Sequence, residues 1–173
     1  MGWRRRRWRL RRRWRFFRGR RGKRIMVMTR GQLLRNIDAA RVKEAIGRAE
    51  RRTSGEIMVS VAPIFWGSVE KAAQKAFVRL GIAGTKEHNG VLIFVVPGRK
   101  KFVVLGDSGI HAKVGQEFWE AVAAQLSEHF RKADFTGGLV SAVDVIGEKL
   151  ELHFPYDAAT DVNGLPDDVD FGL

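Results

Sequence analysis

The 173 residues contain no cysteine. That absence excludes a disulfide frame, a thiolate nucleophile, a zinc–cysteine cluster and thiol redox chemistry, and it permits a reducing compartment. Acidic residues are missing from the first 24 positions, which hold thirteen Arg and one Lys. Beyond position 24 the count is 18 basic against 19 acidic side chains, so the formal charge of +13 belongs to one end of the chain. The remainder is near neutral, and its overall charge gives no sign of a nucleic-acid face. Long apolar runs are also lacking. The twin arginines of the opening segment are followed by RGRRGKRIMVMTRG, without the apolar stretch of roughly 7–15 residues that an export signal needs, so neither a signal peptide nor a transmembrane span is expected and the expected location is cytoplasmic. No GxSxG elbow, Walker loop, GxGxxG turn or HExxH pair occurs, and there is no internal repeat.

What is present is an ordinary globular composition, 45% hydrophobic, of a length that suits one domain with tails. Residues 1–29 read as a disordered extension in which Arg alternates with Trp3, Trp8, Trp14, Phe16 and Phe17. Such a segment can neutralise phosphates and stack on bases or enter an anionic membrane surface. Met26 and Met28 offer alternative translation starts that would remove it. Residues 30–156 carry the patterned domain, and 157–173 read as a flexible acidic tail.

Within the domain, Asp38 caps a helix whose Ala40, Val42, Ala45, Ile46 and Ala49 form one buried stripe, with Gly55 as its stop. EIMVSVAP is a strand ending at Pro63. Ser68 then caps a helix over VEKAAQKAFVRLG, closed by Gly81. The continuous apolar run VLIFVV is a strand buried on both faces, and the short PGRK connection to KFVVLG demands an antiparallel hairpin. Two helices follow, over EFWEAVAAQLSEHFRKA and LVSAVDVIGEKLELHF, separated by Phe135-Thr136-Gly137-Gly138. Trp119, Val122, Leu126 and Phe130 fall at helical spacing and belong to the core. The order α-β-α-β-β-α-α predicts a three-layer α/β/α sandwich around a small mixed sheet, an α/β fold.

In FVVLGDSGI, Asp107 lies between two glycines where an apolar strand ends. Strands one and two run together and strand three returns, so three loops share one sheet edge: Ser54 and Glu56; Thr85, Lys86, Glu87, His88 and Asn89; and Asp107, Ser108 and Gly109, with His111 beyond. Carboxylates, an amide and hydroxyls suit oxygen coordination of Ca²⁺ or Mg²⁺ by Asp107, Asn89 and Glu56. Lys86, Ser108 and Gly109 are candidates for holding a phosphate, and Asp107 is the candidate catalytic residue. Each also has a plainer role: Asp107 as a turn residue, Glu56 as a solvated or helix-pairing side chain, Lys86 as half of a loop charge pair with Glu87. Phe65 and Trp66 sit in a loop at the opposite sheet edge and are read as a cover for the sheet end or as a docking patch.

GEIMVSV, NGVLIFVVPGRKKFVVLGDSGI, EFWEAV and FTGGLVSAVDVIGEKLELHFPY, in this order and spacing, resemble the TPM domain over roughly residues 30 to 170. That family includes thylakoid-lumen acid phosphatases, photosystem II repair proteins and a nematode receptor accessory protein, and the similarity is greatest to short single-domain bacterial members. The resemblance implies an α/β/α sandwich, divalent-cation binding at the same edge in some members and phosphatase activity in only some. It matches Asp107, Asn89 and Glu56 to family positions. Many members carry a DxxGLL-type acidic segment near the start, where this chain has RGQLLRNIDAA. Two functions follow as expectations: a cation-binding domain with weak metal-assisted hydrolysis of phosphate monoesters, or a monomeric, non-enzymatic adaptor for a protein partner, with the basic tail attaching it to nucleic acid or an anionic membrane.

Overall fold

The structure is a computed structural model that describes residues 36–62, 67–157 and 169–171. The basic extension, Phe65 and Trp66, and most of the acidic tail lie outside the described residues. Helix α1 (Ala39–Glu50) starts where Asp38 accepts the Arg41 N–H at 3.1 Å, the capping bond its sequence position predicts. Strand β1 (Ile57–Val61) follows, then α2 (Val69–Arg79), capped by Ser68 on the Lys71 N–H and closed by Gly81 at φ 79°. Strands β2 (Val91–Val96) and β3 (Lys101–Gly106) are joined by a short 3₁₀ turn over Pro97–Arg99, with Lys100 at φ 51°. Helices α3 (Ser108–Arg131) and α4 (Phe135–His153) come next, and β4 (Val169–Asp170) ends the described chain.

The sheet order is β3-β2-β1-β4. β1 and β2 are parallel, with Ile57 opposite Val91, and β2 and β3 are antiparallel, with Val91 opposite Gly106. Alternation along the strands sends Ile57, Val59, Val61, Val91, Ile93 and Val95 into one core shared with α1, α3 and α4. Met58, Leu92, Phe94 and Val96 point the other way, into a smaller core under α2. Every residue of β2 is buried, as a strand covered on both faces must be. The fold is therefore a three-layer α/β/α sandwich on a mixed sheet.

Four local features differ from the sequence reading. α3 begins at Ser108, well before EFWEAV, because Asp107 caps a first segment and Gly115 at φ 72°, ψ −178° breaks the helical path before the second. That interruption resets the apolar period and hides residues 108–114 from a periodicity search. The FTGG stretch forms the first turn of α4, where Asp134 accepts the Gly137 N–H at 2.9 Å. Gly55 does not close α1, whose C-cap is Arg51 in the right-handed region; a Cβ at 55 would lie 2.6 Å from the Leu150 side chain, so it is a packing glycine. The acidic C-terminal stretch contributes β4, parallel to β1.

At the corner between α3 and α4, His129 Nδ1 lies 2.8 Å from Asp134 Oδ2. This bond first, and the Gly137 N–H second, hold the Asp134 carboxyl below the ordinary carboxylate range. A depressed folded pKa stabilises the fold above the unfolded value of about 3.9, and that contribution disappears as pH falls through the folded value. Urea midpoints of wild type and Asp134→Asn should therefore differ above about pH 5 and draw together as pH falls into the acid range. A gap that persists unchanged at pH 2 would exclude the carboxylate as its source.

Candidate functional site

The row Ile57–Val91–Gly106 marks the sheet end where the three loops emerge. Its register follows from the parallel β1–β2 pair and the antiparallel hairpin. Two side-chain groups form there. In the first, Ser54 Oγ donates to Glu87 Oε2 at 2.6 Å, and Asn89 Nδ2 donates to Ser54 Oγ at 3.2 Å and to Glu87 Oε2 at 3.4 Å. The Asn89 N–H is anchored on Thr85 Oγ1 at 3.2 Å. Asn89 is 1% exposed, and its Oδ1 has no hydrogen-bond partner. A buried amide oxygen left in that state costs about 1–3 kcal/mol, so the position is energetically unfavourable by itself.

The second group centres on Asp107. Its Oδ1 accepts the Ser108 N–H at 2.7 Å, and its Oδ2 lies 3.3 Å from His88 Nδ1. The Asp107 N–H donates to the Gly90 carbonyl, while Gly109 and Ile110 both donate to the His88 carbonyl. The start of α3 is thus fastened onto the 85–90 loop. Gly109 is demanded by this approach: a Cβ there would meet the Glu87 carbonyl oxygen at 2.0 Å. His88 itself holds φ 53°, a left-handed backbone uncommon for a residue with a side chain.

The candidate residues therefore reach the same edge with different outcomes. Asp107 and Asn89 stand in adjacent loops, linked by His88 and Gly90. Glu56 lies one residue before β1, buried at 8% exposure. Ser108 and Gly109, read as phosphate binders, give their backbone N–H groups to Asp107 and His88, so a phosphate would have to displace those bonds or use the Ser108 hydroxyl. Lys86 is exposed on the loop. Glu87 is the carboxylate that meets Asn89, although the metal set read from sequence did not include it. Its place two positions before Asn89 and facing Ser54 was the available signal. His111 is committed elsewhere, with its Nδ1 accepting the Trp119 indole N–H at 3.1 Å.

Chemically, the edge offers carboxylate, amide and hydroxyl oxygens. This donor set fits a hard cation of the Ca²⁺ or Mg²⁺ kind. Among the described residues no three His, Cys, Asp or Glu side chains gather at metal-binding spacing, and no helix is long and apolar enough to cross a membrane.

The mixed sheet between unequal helical layers, with polar loops meeting at one end, defines a compact α/β domain class. Residues 27–149 match the family model of the TPM domain, and the chain belongs to that family. A solved structure similar to it is the NMR structure of BA42 protein from the psychrophilic bacterium Bizionia argentinensis, at 32% identity and TM-score 0.72, covering 80% of this chain and 94% of that one. The N-terminal domain of cg2496 protein from Corynebacterium glutamicum shares the fold at 15% identity and TM-score 0.51, covering 64% of this chain and 70% of that one. No curated protein matches the chain.

Proposed function

We propose that the loop edge binds a divalent cation, Ca²⁺ or Mg²⁺, through oxygens of Asp107, Asn89 and Glu56, with Glu87 and Ser54 completing the surroundings. The observation that carries this reading is the buried Asn89 Oδ1 without a hydrogen-bond partner, beside loops that bring two further carboxylates. A cation would satisfy that oxygen and offset the cost of burying it. With few charged ligands, affinity is expected at about 10⁻⁴–10⁻³ M, the range of weak calcium modules.

Hydrolysis of phosphate monoesters is the finer part of the proposal. When bound, the ion would supply Lewis-acid polarisation of a phosphate oxygen. The chain's own contribution would be Lys86, exposed at the loop and able to attract the phosphate, and His88, which steadies the Asp107 carboxylate at 3.3 Å.

The test is a titration of the full chain with CaCl₂ and with MgCl₂, following backbone amide signals. Saturable shifts at Glu56, Asn89 and Asp107 are expected, and Asn89→Ala should weaken binding at least about tenfold, since a ligand oxygen is lost. A spectrum unmoved at those residues by 10-millimolar-scale cation, roughly ten times the weakest expected Kd, refutes the site. Turnover of a chromogenic phosphate ester that survives Asp107→Ala would remove Asp107 from the chemistry.

A further inference from the structure

Trp119 belongs to the larger core, but core packing does not account for its indole nitrogen. The residue lies in α3 beyond Gly115 and is 4% exposed, with its ring edge-on to Phe118 at 5.0 Å between centroids. A buried indole N–H is costly unless something accepts it. Here it donates to Nδ1 of the half-buried His111 at 3.1 Å, so that nitrogen carries no proton. The two residues stand eight positions apart in sequence. On an unbroken helix that spacing would separate them by about 12 Å along the axis. They meet because the path changes direction at Gly115. A glycine alone would leave the angle between the two parts of α3 open, and the indole bond sets it.

Both sides of this contact lead to Asp107. The His111 N–H donates to the Asp107 carbonyl at 3.0 Å, which closes the first helical turn on the residue that carries the carboxylate. On the other side Gly106, the last residue of β3, packs beneath the indole: a Cβ there would stand 2.3 Å from Trp119 Cζ2 and 2.7 Å from Cη2. Trp119 thus touches the residue before Asp107 directly and the residue four after it through a hydrogen bond. The Asp107 N–H, donated to the Gly90 carbonyl at 2.9 Å, holds the same residue from the loop side. A phenylalanine at 119 would fill much of the same space, but it would give His111 no donor.

We propose that Trp119 and His111 are positioning residues for Asp107: together they fix the start of α3, and with it the direction of the Asp107 carboxylate, while neither touches a ligand. The effect on ion affinity rests on the cation-binding reading of the loop edge. Outer partners that orient a metal-binding side chain typically govern affinity by about 10–100-fold.

The test uses three full-length variants. Trp119→Phe removes the N–H and keeps a large ring, His111→Leu removes the acceptor, and His111→Asn keeps an acceptor oxygen near the place of Nδ1. In the cation-free proteins the Asp107 χ1 angle, read from three-bond NMR couplings, should occupy one rotamer in wild type and average over several in Trp119→Phe and His111→Leu. His111→Asn should restore the single rotamer. Affinity for CaCl₂ should fall about tenfold or more in the first two variants and recover in the third. A purely structural role would lower the melting temperature and leave the Asp107 couplings as they are. Couplings that stay at wild-type values in folded Trp119→Phe and His111→Leu overturn the proposal, whether or not calcium binds. So does His111→Asn that behaves like His111→Leu. A wild-type protein that binds no calcium refutes the cation site alone, and the cation-free couplings still decide the positioning.

Discussion

Truncating Leu126 to alanine should lower stability by about 2–5 kcal/mol, the largest loss of any single side chain considered in this fold. Leu126 is fully buried on α3, in the larger core with Val122, Ile146 and Leu150. Two terms combine. The missing methyl groups forfeit their transfer free energy, and the space they leave is walled by elements that do not collapse freely: α4 on one side and the sheet on the other. For a chain of this size the loss corresponds to a fall in melting temperature of roughly 5–20 °C. Urea denaturation with an unchanged slope would attribute it to the native state. A loss below about 1 kcal/mol would show that the α3–α4 interface relaxes, contrary to a close-packed interior.

The second large effect is expected at Gly109, for a different reason. Helix propensity alone says that Gly109→Ala should help, by up to about 1 kcal/mol, because the residue lies in the first turn of α3. Contact geometry says the opposite. The new Cβ would stand 2.0 Å from the Glu87 carbonyl oxygen and 2.8 Å from that of His88, and both are backbone atoms that no rotamer change can move. The helix start must then part from the loop, weakening the two N–H bonds onto the His88 carbonyl. With roughly 1–3 kcal/mol for overpacking and about 1 kcal/mol for each bond, the clash outweighs propensity and the net loss should be about 2–4 kcal/mol. Amide shifts confined to 85–90 and 107–111 would separate this local damage from the wider response to Leu126→Ala. If Gly109→Ala is neutral or stabilising, the fastening between α3 and the loop is weaker than its geometry indicates.

These two positions also show what a sequence can and cannot disclose. Leu126 announces itself: with Trp119, Val122 and Phe130 it recurs at the helical period, and periodicity is a local property. The capping roles of Asp38 and Ser68, the buried run of β2 and the antiparallel return of β3 were legible for the same reason, since each depends on residues a few positions apart. Gly109 reads from the sequence as a phosphate-holding position, because its real constraint is imposed by carbonyls about twenty positions away. Gly55 was misjudged likewise, its limit being Leu150. β4 was hidden because two residues among many aspartates carry no period, and only its contacts with Arg79 and Ser60 give Asp170 its meaning. At the loop edge, the convergence of the three segments followed from strand directions. Which carboxylate meets Asn89 did not, because Glu56, Glu87 and Asp107 are equally plausible until side-chain distances separate them. The histidines could be set aside from spacing, but the partners of His111 and His129 could not be named.

The break at Gly115 has a mechanical consequence. As an unbroken rod, 24 residues of α3 would extend roughly 36 Å and carry twist from the loops to the far corner of the domain. Backbone near φ 72°, ψ −178° interrupts the hydrogen-bonded spine and is accessible in practice to glycine alone. The short leading piece can therefore tilt with the loop to which it is tied, while the trailing piece keeps its alignment beside α4. If the loop edge binds a cation as proposed, a shift of the 85–90 loop together with residues 107–114 would be taken up at that joint, leaving the trailing piece beside α4 in place.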